Sequence, residues 1–284
     1  MNRRDEVMER IKKTPMFSHS AMRLIEVTND PDHILLDVVK IIEADSVLTA
    51  QVFKVVNSAA FGFSGSITSV SRAVALLGDK TIVGLAIGHS QSQIYGTRLE
   101  GYDAEAGALW EHSLRTAIAA RELVPYSIKK VLPEIAYTAG ILHDIGKAIV
   151  ADFLSGQTEK IVALTDQSQS GNFLDAERDI LGVDHCEAGY ALAQQWKFPE
   201  VFQMVCKHHH YPANTEEEHR SLAYVVHIGD IVAMMGGSGT GADALLYTMD
   251  PDYQSYLKMG PDDLNKVMMN VMIEFERTKG MVFD

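Results

Sequence analysis

Apolar residues recur at three- and four-residue spacing along most of the chain, the period of amphipathic helices. Residues 34 to 56, "ILLDVVKIIEADSVLTAQVFKVV", carry this stripe throughout, with a break predicted near Asp45-Ser46. In "ITSVSRAVALLG", Ile67, Val70, Ala73, Val74 and Leu77 share one face, and Gly78 suits a helix C-terminus. Leu264, Val267, Met268, Val271, Met272 and Phe275 form a further stripe, entered through "GPDD". No stretch shows the alternation of a half-buried strand, so the predicted fold class is all-α. Periodicity lapses into glycine and charge at "YGTRLEGYDAEAG", residues 95 to 107, the best candidate boundary. "GQTEKIVALTDQSQSGN" reads as a helix end running into a loop. "MGGSGTG", residues 235 to 241, is glycine-rich but follows no strand and lacks the Lys-Ser/Thr ending of a phosphate loop.

One apolar stretch is interrupted in a way that asks for an explanation. In "AGILHDIGKAIV", His143 and Asp144 stand among Ile141, Leu142, Ile145, Ile149 and Val150. Burying imidazole and carboxylate is costly unless something pairs with them. A single helix over residues 134 to 150 turns both toward one interior point, with Lys147 four residues on along the same side. Gly140 and Gly146 would let neighbouring helices come close. A metal ion at that point would pair both groups, and so would a plain hydrogen bond between the two neighbours. Further stations favour the metal. His112 lies in "LWEHSLRTA", His185 in "GVDHCEAGYALAQQW", His208, His209 and His210 in "MVCKHHHYP", and Asp230 in "VVHIGDIVA". Helices packed side by side can project such residues to a common centre, here with no thiolate among the candidates.

Composition narrows the class. The 284 residues are 46% hydrophobic and 22% charged, as in ordinary globular proteins. The longest apolar runs fall far short of the ~20 residues that cross a bilayer, so no membrane association is expected. "MNRRDEVMERIKKT" has no apolar core of a secretory signal, and Cys186 and Cys206 read as reduced thiols of a cytoplasmic protein. A formal charge of −13 argues against nucleic acid as a partner. It leaves room for a small anion held by a few local cations.

The order His…His-Asp…His…His-His…Asp resembles the HD superfamily of metal-dependent phosphohydrolases in its seven-ligand binuclear form. The segment "PDHILLDVVKIIEADSVLTAQVFKVVNSAAFGFSGSITSVSRAVALLG" closely resembles the HDOD domain, a relative of the HD-GYP phosphodiesterases. "WEHSLRTA", "AGILHDIGK" and "LGVDHCEAGYALAQQWKFPE" continue that pattern, and the resemblance spans about residues 14 to 235. It implies an N-terminal helical lobe, residues 1 to 100, packed on an HD-like metal-binding lobe, residues 101 to 284, which ends in a C-terminal helix. It also implies a role in bacterial signalling or regulation, commonly without catalysis and with ligands lost. This chain departs from that tendency by keeping a candidate at every station. It also departs from the cyclic-dinucleotide branch: the "HHE…DG-GYP" motif is missing, and "HHHYPANTEEE" runs acidic instead.

The family spacing from "PE" to the histidine pair favours His209 and His210 over His208. With two ions, Asp144 is the natural bridge. His112, His143 and Asp230 would complete one site, and His185, His209 and His210 the other. Such ligands suit iron, manganese, nickel or zinc. Water between the ions could attack a phosphoryl centre, giving Asp144 and Lys147 catalytic roles, Lys147 as the phosphate-facing lysine of an "HD-x-GK" motif. Arg115, on the His112 face, is a weaker candidate for holding an anion. Asn57 is expected to pin an interhelical turn, and Phe61 and Phe63 to be core or lobe-interface aromatics. The resulting expectation is a regulatory module with a retained metal site and a protein partner or small phosphate-containing ligand. A metal-dependent phosphohydrolase or cyclic-nucleotide phosphodiesterase is the alternative.

Overall fold

The computed structural model describes residues 2–15, 18–58, 66–90, 96–157, 160–161, 172–237, 241–243 and 246–282. Phe61 and Phe63 lie outside them. In chain order the helices begin with α1 (Arg3–Lys13), α2 (His19–Thr28), α3 (Leu35–Glu43), α4 (Ser46–Val56) and α5 (Val70–Ser90). They continue with α6 (Ala108–Leu123), α7 (Pro133–Leu142), α8 (Lys147–Leu154), α9 (Phe173–Leu181) and α10 (His185–Gln195). The last three are α11 (Glu200–His208), α12 (Glu217–Met235) and α13 (Pro261–Val282). Among the described residues only two isolated bridges, Leu99–Ala104 and Ser127–Leu257, have β character, so the fold is all-helical.

The chain forms two compact units, one of Met1–Met16 with Gln93–Val271, the other of Phe17–Ser92 with Met272–Asp284. This division differs at both ends from the 1–100 and 101–284 expected from the sequence. α1 packs on α8, α9 and α10 of the larger unit. Arg3 donates to the Phe153 carbonyl at 2.8 Å and Arg4 to that of Gly182 at 2.6 Å, ties that the local periodicity could not reveal.

In the smaller unit α5 packs on α2, α3 and α4 around a core that includes Leu24, Ile25, Val38, Ile42, Val52 and Val74. Asp45 separates α3 from α4 by capping the latter, its carboxylate accepting from the Val47 and Leu48 amides, a device worth about 1 kcal/mol. Asn57 pins the connection after α4. Its amide donates to the Phe53 and Ile67 carbonyls, and its oxygen accepts from Ile67 N–H at 2.6 Å. Gly78 does stop a helix, with φ 74° and ψ 159°, but a second helical run starts at once, so α5 is two helices joined at that residue.

In the larger unit α6 packs against both α7 and α12. Small residues permit this: a side chain at Gly140 would come within 2.5 Å of Ala117 Cα, and one at Gly229 within 3.0 Å of Ala120 N. The expected single helix over 134–150 is instead α7, a tight turn and α8. His143 Nδ1–H donates to the Gly140 carbonyl, the acceptor an unbroken helix would reserve for the Asp144 amide. On α13 the stripe is narrower than predicted: Val267, Val271 and Phe275 are buried, whereas Met272 is exposed.

Candidate metal centre

Three helix ends and two helix interiors bring the seven predicted residues together. His112 projects from the middle of α6 and Asp230 from α12. His143 and Asp144 follow the last turn of α7, His185 opens α10, and His209 and His210 follow α11. All seven are buried, none more than 7% exposed. His208, the last residue of α11, stays half-buried and outside the cluster.

Asp144 stands in the middle and faces two ways. Its Oδ2 lies 3.4 Å from both His112 Nε2 and His143 Nε2. Its Oδ1 lies 3.4 Å from His185 Nε2 and 3.3 Å from His209 Nε2. Asp230 closes the first side, with Oδ1 3.0 Å from His112 Nε2 and 3.8 Å from His143 Nε2. On the second side His210 Nε2 meets His185 Nε2 at 3.1 Å. Cys186 joins that side, its Sγ 3.9 Å from the His209 ring nitrogens, although the sequence reading included no cysteine.

Outer partners fix the rings. His143 donates through Nδ1 to Gly140, and His209 Nδ1 sits 3.2 Å from the Val205 and Cys206 carbonyls. His185 Nδ1 faces Glu177 Oε2 at 2.9 Å, and the same carboxylate accepts from its backbone N–H and from Tyr102 OH. In each case the outer hydrogen bond leaves the Nε2 lone pair aimed inward, as metal ligation requires. His227 supports the loop beyond α11, donating through Nδ1 to the His209 carbonyl and accepting the Asp250 amide.

The electrostatics are those of a cation site. Burial opposes the charge on Asp144, but Lys147 and the surrounding histidines outweigh it and hold the carboxyl well below the usual range. Asp230 is likewise held low against burial by His112 and His143. Burial would strip the proton from His112, yet Asp144 and Asp230 raise its pKa to about 10, so a proton stands between two carboxylates. Burial pulls His209 down to about 4, and burial with the neighbouring imidazoles holds His210 low, leaving both neutral. His143 Nε2, His210 Nδ1 and Asp230 Oδ2 are buried without a hydrogen-bond partner among the described residues, at about 1–3 kcal/mol each. Metal ions held by the two groups, one with His143 and the other with His210, would relieve such orphaned atoms, and the imidazole and carboxylate donors suit first-row divalent ions. The residues fit the group.

Lys147 is neither a surface lysine nor open to a substrate. Only 2% exposed, its Nζ lies 2.7 Å from Asp144 Oδ2 and 2.6 Å from Asp243 Oδ2, and these carboxylates raise its pKa against the pull of burial. Tyr247 donates to Asp243 at 3.0 Å and stacks on His210 with ring centroids 3.9 Å apart. Arg115 instead lies 3.8 Å from Glu111 on its own helix. The acidic run after the histidines starts α12 in the open, where Glu217 pairs with Lys129 and Arg220.

Sequence reasoning missed Glu177, Asp243, Tyr247, Tyr102 and His227. Glu177 left a signal: in "FLDAERDIL" it shares the buried face with Phe173, Leu174 and Leu181. Asp243 and Tyr247 left none, because they lie in a connection without periodicity.

An HDOD domain model matches residues 14–212. An uncharacterized protein of Treponema pallidum (strain Nichols) is 28% identical over 222 residues, 78% of this chain, and the match spans 42% of that protein's length. An HDOD domain protein of Geobacter sulfurreducens with unknown function superposes at TM-score 0.72 with 23% identity, covering 98% of this chain and 96% of its own. A candidate signal transduction protein of Marinobacter aquaeolei VT8 gives 0.72 at 20% identity, covering 98% and 65%. A candidate phosphohydrolase of Shewanella amazonensis SB2B gives 0.65 at 22%, covering 97% and 96%. At these identities the likeness to solved structures is one of fold.

Proposed function

This chain belongs to the HDOD domain family, and we propose that it is a regulatory signal-transduction module built around a buried metal centre of two ions. The observation that carries this reading is the closure of the site. Every candidate ligand is buried, and the nearby lysine is already paired with two carboxylates. Catalytic metal sites keep a position open, whereas structural sites are closed. His112, His143 and Asp230 would hold one ion, and His185, His209 and His210 the other, with Asp144 between the two sets. When bound, such ions supply Lewis acidity, and iron, manganese, nickel and zinc all suit the donors. The protein's own groups orient the imidazoles, exclude water and tie the ends of α7, α10 and α11 to one point. The partner would be another protein or a small phosphate-containing ligand, met in the cytoplasm, where Cys186 and Cys206 stay reduced.

One observation favours a second reading, a metal-dependent phosphohydrolase. No station of the cluster has been lost, and a Shewanella neighbour of the same fold is a candidate phosphohydrolase. The test is elemental analysis of protein purified without chelators, followed by assays on cyclic dinucleotides, nucleotides and simple phosphodiesters. Bound transition metal with no turnover above background is expected. Metal-dependent hydrolysis that Asp144→Ala abolishes would establish the second reading instead.

A further inference from the structure

A buried cysteine ordinarily fills space as a small hydrophobe. Cys186 stands where it can do more. Asp184 caps α10, its carboxylate accepting the Glu187 amide at 2.7 Å, and so fixes the first turn, which carries His185 and Cys186. Adjacent helical residues point about 100° apart, and here both turn inward. His185 is fully buried and faces Asp144; Cys186, 4% exposed, faces the His209 ring with Sγ 3.9 Å from each ring nitrogen. The sulfur and one ligand atom each of His185, His209 and His210 all lie within 4.8 Å of one another. Nitrogen and sulfur donors on a tetrahedral zinc ion, bonded at about 2.0–2.3 Å, stand about 3.3–3.6 Å apart. A contraction of about 1 Å, within reach of rotation about one side-chain bond, turns the group into a coordination sphere.

Two further observations point to a cation on this side of the centre. Asp144 Oδ1, 3.4 Å from His185 Nε2 and 3.3 Å from His209 Nε2, is buried without a hydrogen-bond partner among the described residues. His185 Nε2 and His210 Nε2 meet at 3.1 Å, close to the spacing of two imidazoles on one ion. The other thiol is committed elsewhere, Cys206 Sγ donating to the Leu142 carbonyl at 3.3 Å. We propose that Cys186 is a thiolate ligand of the ion held by His185, His209 and His210, which makes that position selective for zinc over manganese. This rests on the reading of the cluster as a metal centre. The bond formed is sulfur to metal, and the thiol proton passes to water, since a coordinating thiol is deprotonated outright. Thiolate and imidazole suit zinc, whereas carboxylates suit manganese. The position of His112 and His143, with Asp230 beside the imidazoles, lacks this bias, so the two positions are chemically unequal.

Cobalt(II) tests this, because a thiolate bound to it gives an intense near-ultraviolet charge-transfer band that imidazole and carboxylate ligands do not give. The full chain is freed of metal and reloaded with cobalt(II), and its metal content is measured. The band should appear in the unmodified chain and in Cys206→Ala, and vanish in Cys186→Ala while cobalt remains bound at the carboxylate-bearing position. Chelator competition gives a second readout. Even partners outside the coordination sphere contribute about 10–100-fold to affinity, so Cys186→Ser should lose about tenfold or more in zinc affinity, with manganese affinity unchanged. Cobalt bound without the band, a band that survives Cys186→Ala, or unaltered zinc affinity in Cys186→Ser would overturn the proposal and leave the metal centre standing. An unmodified chain that retains no metal would sink the centre and the proposal together. Cys186 and Cys206 are the chain's two cysteines, so the unmodified chain and Cys206→Ala decide the matter even if Cys186→Ala fails to fold.

Discussion

Glu177 holds His185 at two points, accepting its backbone N–H at 2.7 Å and facing its ring Nδ1 at 2.9 Å. One carboxylate thus fixes both the start of α10 and the orientation of a candidate ligand. Partners of this kind typically contribute 10–100-fold to metal affinity. Glu177→Ala should weaken metal binding by about that factor, and Glu177→Gln by less, because its amide oxygen can still accept one bond. Chelator competition on the folded variants measures it. Unchanged affinity in Glu177→Ala would mean that other contacts orient the ring.

Asp144 has a larger effect because both of its oxygens are committed. Asp144→Ala removes the group between the two sets of histidines and leaves Lys147 with Asp243. Breaking a buried charge pair costs about 3–5 kcal/mol, so a lower unfolding midpoint is expected together with loss of most of the metal. Asp144→Asn keeps the shape and loses the charge, which separates packing from ligation. Full metal occupancy in either folded variant would remove Asp144 from the centre of the site.

Much of this was legible locally. A polar pair inside an apolar run, His143-Asp144, stands out in any sequence; the other stations and the choice of His209 and His210 rest on further histidines and the family resemblance, and the seven do lie together. The Asp45 break and the Gly78 stop were visible for the same reason, since caps and left-handed glycines act over a few residues. The turn between α7 and α8 was not, because it depends on the His143 ring displacing a backbone donor at Gly140. The burial of Lys147 was equally hidden. Its second carboxylate, Asp243, lies far along the chain in a segment where no period marks a buried face.

Gly146 illustrates a contact that only tertiary structure imposes. Its φ of −65° suits any residue, but a Cβ there would run into the His185 carbonyl oxygen and approach Gly189 N at 2.5 Å. Both neighbours are backbone and cannot swing aside. Gly146→Ala should destabilise the protein by about 1–3 kcal/mol or more, as overpacking does, and lower metal affinity by shifting His185. Gly156→Ala is the control: φ is +72° with nothing within 4 Å of the added carbon, so only a local cost of about 1–2 kcal/mol is expected, with metal binding unchanged. Denaturant unfolding and chelator competition on both variants distinguish the two. Equal effects on metal affinity would contradict the packing argument.

In the smaller unit, His33 links the α2–α3 connection to the residue after the Gly78 break. Its Nε2 lies 2.9 Å from Asp79 Oδ2, and its Nδ1 lies 2.6 Å from the Asp30 carbonyl. Burial alone would lower the His33 pKa; the Asp30 carbonyl and the Asp79 carboxylate outweigh it and raise the value above 6.5. The folded chain therefore holds this proton more tightly than the unfolded chain. The resulting stability is fully present below the unfolded value near 6.5 and is lost as pH rises through the raised folded value. The Asp79 side chain is 31% exposed, so solvent screening keeps the contribution below about 1 kcal/mol. Asp79→Asn removes the charge that attracts the proton. The gap in unfolding midpoint between the unmodified chain and this variant should be widest below pH 6.5 and narrow as pH rises through the raised folded value. A gap that stays constant across that range would show that the contact acts as a neutral hydrogen bond and that His33 carries no proton-linked stability.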